Sequence, residues 1–447
     1  MISMKDRLRF AGISFQRIRA SSITHNIIAL YGTQIAAYVF PLATVPYLAR
    51  VLGPFHWGLV AFAQALGLYI SIVVEFGFQL SATRRIARMR DDPEQLAQIV
   101  AGVIGAKVLL AIGCVVAMLV LQHFMASFRQ YGLILWAGAL SGIGQGFSML
   151  WFYQGMERMK TSATMDILGK GAATAAIFVL VRHQEDAWKV LALQCICYCG
   201  VALSLLVMSY REVRFRLPTG ETTWDAMRES AAMFLFRSAV SLYTTANALI
   251  LGAVATPIAV GFYSGAERLT KALLGLMNPI SQSLYPRLNR LMRRDRAKAI
   301  LLARLSLGIM ALGGILLAAV VFLAAPLIIR VMLGNGYEAA IPVMRILALL
   351  LPAIAISNVL GIQWMLPLGM DAVFNKIIIS AGLLNVILAV WWAPRWQQTG
   401  MAWAVVASES IVTAAMLIVL LRRGLSPLSQ RSALLDKLST YSGVFEN

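Results

Sequence analysis

Residues 97–121 read AQIVAGVIGAKVLLAIGCVVAMLVL, an unbroken apolar run with one charge, Lys107. Wound as an α-helix at about 1.5 Å per residue, it exceeds the roughly 30 Å apolar core of a bilayer. A helix that is apolar all round has no face to offer water. The run therefore reads as a membrane span. Working outward with the same criterion gives twelve spans: 26–50, 58–82, 97–121, 131–153, 163–181, 188–209, 230–254, 258–284, 300–329, 338–367, 372–393 and 400–421. Composition agrees with this reading. Hydrophobic residues make up 59% of the 447 positions and charged residues 13%, against about 25% charged in an ordinary soluble domain. Mean hydropathy is +0.74. These values exclude a soluble enzyme, a disordered chain and a secreted disulfide scaffold. The expected fold class is an all-α polytopic membrane protein.

The formal net charge of +19 would point to nucleic acid in a soluble protein. Here the basic residues fill the gaps between spans, so they describe topology and imply no nucleic-acid partner. Alternate connections carry most of the Lys and Arg, including Arg84, Arg85, Arg88, Arg90, Arg287, Arg290, Arg293 and Arg294. The rule that positive loops stay inside then places both termini in the cytoplasm. Trp57, Trp188, Trp391, Trp392 and Trp396 fall near span ends, as an aromatic belt would. The stretch Met1–Ser22 lacks the apolar core of a signal peptide. Its Leu8, Ala11, Phe15 and Ile18 recur at helical spacing, which fits an interfacial helix or a solvated tail. The connections on the other side are short, so function is expected inside the membrane or at its faces.

The two halves echo each other. A shift of 203 residues sets Pro54 on Pro257, Gly58 on Gly261, Arg84 on Arg287, Gln64 on Glu267 and Gln34 on Arg237. This register implies two pseudo-symmetric six-helix bundles around a central cavity, a parallel-repeat plan typical of transporters. The expected boundaries are a cytoplasmic N-terminal segment 1–25, a first bundle 26–210, a cytoplasmic linker 211–229, a second bundle 230–422 and a cytoplasmic tail 423–447.

Ionisable residues at membrane depth are costly and by default face a protein interior, a wet cavity or a partner. Those inside the spans are Glu75, Lys107, Asp166, Lys170, Arg237, Glu267, Arg268, Lys271, Arg304, Arg345 and Glu409. Cations outnumber anions among them, which favours an anionic substrate. Glu267 and Lys271, like Asp166 and Lys170, stand four apart on one helix face and read equally as intrahelical ion pairs. Arg237 has no acidic residue three or four positions away and is expected to meet substrate. Lys107, Arg304 and Arg345 are expected to snorkel towards the nearer interface, with a gating role as the alternative. Cys195, Cys197 and Cys199 lie about 200° apart in turn around one helix and do not converge on a metal. No metal, no cofactor and no catalytic residue is expected. The absence of a Walker lysine loop argues against direct use of ATP. The glycine-rich run GALSGIGQG (138–146) reads as close helix packing.

The runs PYLARVLGPFHWGLVAFAQAL (46–66), EFGFQLSATRRIA (75–87), WFYQGMERM (151–159), GFYSGAERLTKAL (261–273) and YPRLNRL (285–291) occur in order along the chain. This ordered set resembles the bacterial polysaccharide repeat-unit flippases of the Wzx type. The resemblance implies the fold of the multidrug/oligosaccharidyl-lipid/polysaccharide exporter superfamily and a location in the bacterial inner membrane. It also implies a substrate made of an oligosaccharide on undecaprenyl pyrophosphate, destined for O-antigen, capsule or exopolysaccharide, and crossing by alternating access. Membrane lipids and the polymerase and other assembly proteins of the pathway are the implied partners. On that expectation Arg237, Arg268 and Lys271 would hold the pyrophosphate, and Gln34, Gln64, Tyr243 and Asn247 would meet the sugars. Glu267 and Glu75 are the candidate carriers of a coupling proton or sodium ion. A lipid II-type flippase and a cation-coupled drug antiporter of the same superfamily are the rival expectations.

Overall fold

The computed structural model describes residues 22–275 and 277–429, except for the side chains of 22–39, 41, 42, 236, 239, 240, 242–244, 278–280, 282 and 283. The expected interfacial helix before Ser22 and the tail after Ser429 lie outside the described residues. Among the described residues the chain is helical, with no strand. It is an integral membrane protein: eight helical segments are long and apolar enough to cross a bilayer.

Residues 97–121 fall within a helix over Pro93–Phe124. Asp92 caps it, accepting from the backbone N–H groups of Glu94 and Gln95, and Pro93 occupies the first turn. The longest apolar helices, Ser22–Glu75 and Asp371–Arg422, are each interrupted by a non-helical residue, Gly53 (φ 67°) and Gln397 (φ 50°). A straight 52-residue helix would be about 78 Å long, more than twice the apolar core of a bilayer. The interruption divides it near the expected gap between 393 and 400. The expected spans 230–254 and 258–284 fall on broken helices, Gly220–Thr244 with Asn247–Val254 and Pro257–Gly275 with Asn278–Arg294. Neither pair satisfies the apolar criterion, because Arg228, Glu229 and Arg237 crowd one and Glu267, Arg268 and Lys271 the other. The charges expected to meet substrate are the same ones that weaken the membrane signal of these segments.

The chain forms two compact units. The first comprises residues up to Thr44 and Ala63–Ser238. Its core gathers Phe78, Ala82 and Ile86 from one face of the short helix Phe78–Arg88, with Trp151, Phe152, Tyr153 and Leu205. The opposite face of that helix leaves Arg84 and Arg88 exposed, the amphipathic pattern expected at an interface. Gly138 and Gly142 let the helix Gly132–Gly146 run against Ala63 and Gly67. A Cβ on Gly142 would overlap the Gly67 carbonyl oxygen. The run 138–146 is thus close packing, as expected.

The second unit comprises Val45–Phe62 and Ala239 onward. One of its cores gathers Leu288, Met292, Trp364, Met416 and Leu420. One close contact in it joins repeat-related segments. A Cβ on Gly58 would overlap the carbonyl oxygen of Pro257, and one on Gly261 would overlap that of Pro54. The residues matched by the 203-residue shift therefore pack on each other reciprocally. Trp57, expected in the aromatic belt, is fully buried in this unit, where the Arg268 guanidinium lies 4.8 Å from its ring centroid. Trp188, Trp391 and Trp396 are exposed, as a belt requires.

Candidate functional site

Inside the first unit is a cavity of about 630 Å³. Its wall includes Ser71 and Glu75 at the end of one helix, Gln79 at the start of the next, Gln145, Ser148 and Trp151 around a helix break, Asp166 and Lys170, Tyr198, and Arg237. The chain turns at Phe76 (φ 45°) and Gly77 (φ 78°), both left-handed. A Cβ on Gly77 would press on the backbone of Met233 and Phe234, and the Phe76 ring stacks on Phe234 at 4.4 Å. This turn brings Glu75 and Gln79 to the same point. Arg237 Nη1 donates to Glu75 Oε1 at 2.6 Å and to Gln79 Oε1 at 3.0 Å.

Arg237 is therefore not unpaired, as its own helix implied; its acid arrives from 162 residues earlier in the chain. Sequence spacing alone does not reveal this partner, since it depends on the turn at 76–77. Lys170 and Asp166 form the expected intrahelical pair at 2.6 Å, on the cavity wall. Every lining cation thus carries a carboxylate beside it. Gln64 donates to Gln194 Oε1 at 3.2 Å. The side chains of Gln34 and Tyr243 lie outside the described residues.

Lys107 does not snorkel. It is fully buried and donates to the backbone carbonyls of Gly146 at 2.8 Å and Ser148 at 2.9 Å. The expectation failed because a broken helix leaves carbonyls without partners, and these recruit an ammonium inward. Arg304 donates to the carbonyls of Pro427, at 2.6 Å, and Ser429. Arg345 donates to the carbonyl of Phe322 at 3.3 Å and lies over its ring.

The second unit holds the other expected residues in a different setting. Asn385 Nδ2 donates to Asn247 Oδ1 at 3.0 Å. Asn247 Nδ2 donates to Glu267 Oε1 at 3.3 Å, as does the Tyr263 hydroxyl. Lys271 closes on the same carboxylate at 2.9 Å. Ser408 donates to Asn385 Oδ1 at 3.4 Å. Asn247, Asn385, Ser408 and Tyr263 are all buried, so the expected sugar contact at Asn247 faces a protein network instead. Sequence reading missed Asn385 and Ser408; both are ordinary polar residues in apolar runs, and that interruption was the available signal. Glu409 is buried beside them and accepts from Ser357 Oγ at 2.8 Å. Among the described residues no cluster of His, Cys, Asp and Glu is arranged to hold a metal.

The first unit thus combines membrane-crossing helices with a largely apolar cavity whose polar groups include two charge pairs. Two solved structures share the fold. A multidrug resistance MATE family transporter of the MOP superfamily, inward-facing, aligns with a TM-score of 0.64 at 14% identity, covering 94% of this chain and 99% of that one. The lipid II flippase MurJ, in an inward closed conformation, aligns with a TM-score of 0.66 at 12% identity, covering 94% and 92%. By sequence, the family model "Polysaccharide biosynthesis protein" matches residues 23–292. The chain is 32% identical over 403 residues to a protein of Escherichia coli K12 named "Putative O-antigen transporter", covering 89% of this chain and 96% of that one. A protein of the same name from Shigella dysenteriae is 27% identical over 414 residues, covering 88% and 98%. The chain belongs to the polysaccharide biosynthesis protein family, as a transporter and not an enzyme.

Proposed function

We propose that the protein is a flippase for undecaprenyl-pyrophosphate-linked oligosaccharides, carrying them to the outer leaflet of the bacterial inner membrane by alternating access. The similarity to O-antigen transporters along nearly their whole length carries this reading. The physical task is to move a head group of hydroxyls and about two negative charges past hydrocarbon that solvates neither. The polyprenyl tail needs no such shelter and remains in lipid.

The first-unit cavity supplies groups suited to that head group. Gln79, Gln145, Ser148 and Tyr198 offer donors and acceptors for sugar hydroxyls. Arg237 offers a planar donor fork that suits a phosphate. For the diphosphate to engage it, the anion exchanges with the Glu75 carboxylate. The freed carboxylate then becomes the place where a coupling proton enters. Arg268 and Lys271 are proposed as further diphosphate contacts, and Glu267 as a second candidate carrier. Outward movement of an anion also follows the membrane potential, at about 2.3 kcal/mol per charge per 100 mV. Both termini are proposed to be cytoplasmic, and the polymerase of the pathway is a proposed partner. A drug antiporter of this fold is the rival reading, and movement of drug cations is the outcome that would favour it.

The test is reconstitution into vesicles with defined undecaprenyl-pyrophosphate oligosaccharides. The intact protein is expected to move them, and Arg237→Ala and Lys271→Ala are expected to lose transport at unchanged protein level. Movement of drug cations alone, or full transport by both variants, defeats the proposal.

A further inference from the structure

Lys107 is a fully buried cation held by neutral backbone carbonyls. The helix Gly132–Gly146 ends inside the segment 132–155, and the chain resumes helix at Leu150. A break there exposes carbonyl groups that lipid cannot satisfy. The Lys107 ammonium answers two of them, the Gly146 and Ser148 oxygens at 2.8 and 2.9 Å. The Trp151 ring centroid lies 6.0 Å from the same nitrogen. A cation at the negative end of a helix is favourably placed.

The repeat shows where such a cation is needed. The 203-residue shift carries Gly146 to Leu349, which keeps right-handed helical backbone (φ −65°, ψ −18°) between Ala340–Ala348 and Leu350–Asn358. It carries Lys107 to Met310, a buried apolar residue clustered with Ala355 and Val359. Where the helix continues, the matched position is apolar; where it breaks, it is a lysine. The break at 146–150 also lies on the wall of the cavity, with Gln145, Ser148 and Trp151 all lining it.

We infer that Lys107 is a positioning residue for the head-group site, pinning the 146–150 break so that Gln145, Ser148 and Trp151 meet the substrate in fixed places. The inference rests on the proposed function of this cavity, but its first test does not. In a background with Cys114, Cys195, Cys197 and Cys199 replaced, Ser148→Cys and Ser71→Cys report the break and the facing helix through labelling by a small water-soluble thiol reagent. Lys107→Met is expected to change the labelling rate of the cysteine at 148 by about tenfold and to leave that at 71 within about twofold. In transport, Lys107→Met is expected to raise KM for the lipid-linked oligosaccharide more than it lowers the maximal rate. Lys107→Arg, which keeps a cationic donor, is expected to restore both readouts in large part. Unchanged labelling at 148 in Lys107→Met overturns the inference. If Lys107→Met is lost from the membrane, Lys107→Arg decides: near-native labelling at 148 with retained transport supports it, and near-native labelling with no transport overturns it. An intact protein that moves no lipid-linked oligosaccharide removes the proposed function, while the labelling result stands by itself.

Discussion

The charged residues of the first unit and those of the second have the same chemistry and opposite circumstances. Around Glu75 and Arg237 the structure leaves about 630 Å³ of space, and the pair is partly exposed, at 17% and 34% of its side chains. Around Glu267 it leaves a chain of hydrogen bonds through Asn247, Asn385 and Ser408, each at most 2% exposed. The first arrangement can exchange one partner for an incoming ligand at small cost. The second cannot give up a member without stranding a buried polar group. The two charge pairs themselves differ little in exposure, the Glu267 and Lys271 side chains standing at 13% and 49%; what separates them is the buried hydrogen-bond network behind Glu267.

The contrast is sharpest at Arg237. Its replacement by Ala is expected to lower transport per folded molecule by about tenfold to a hundredfold, the worth of one lost charge-assisted bond, while thermal unfolding in detergent shifts little. Asn247→Ala should reverse the pattern. Leaving Asn385 and Glu267 short of partners is expected to cost about 1–3 kcal/mol of stability, read as an earlier unfolding transition, with transport per surviving molecule less affected. A variant pair in which Arg237→Ala unfolds and Asn247→Ala only stops transport would break the distinction. Asp166→Asn removes one i,i+4 ion pair that is 29% and 38% exposed. It should change stability by only about 0.5 kcal/mol, so any larger loss of transport locates Asp166 or Lys170 in substrate contact.

The smallest effect concerns a pair outside the spans. The Arg90 guanidinium, hydrogen-bonded to Glu157 at 3.0 Å, holds that carboxyl below its ordinary value of 4.5. A depressed carboxyl contributes stability that is complete above the unfolded value and lost as pH falls through the folded one. Stability from this pair should therefore be flat from about pH 6 to 8 and decline only in acid below the ordinary glutamate range. Glu157→Gln should flatten that acid limb, measured by thermal unfolding against pH.

Much of the architecture was legible because a bilayer imposes a simple rule on sequence. Any helix that crosses must be long and apolar, as residues 97–121 show, and glycines that recur at four-residue spacing must let helices touch, as Gly138 and Gly142 do. Local charge pairs were legible for the same reason: Asp166–Lys170 and Glu267–Lys271 need only the pitch of one helix. Pro54 and Gly58, matched to Pro257 and Gly261, carried the repeat, and their reciprocal contact follows from small residues at matched positions.

What the sequence could not hold was which distant groups would meet. Glu75 reaches Arg237 only because Phe76 and Gly77 adopt left-handed backbone and reverse the chain, and Lys107 turns inward only because a helix breaks beside it. Spacing along one helix is fixed by local geometry, so a sequence states it; encounters across 39 or 162 residues depend on turns, breaks and packing, so only the tertiary structure decides them. Membrane class and the long apolar spans came from the first kind of information. Whether a charge at depth faces a cavity, a carbonyl or another side chain came from the second.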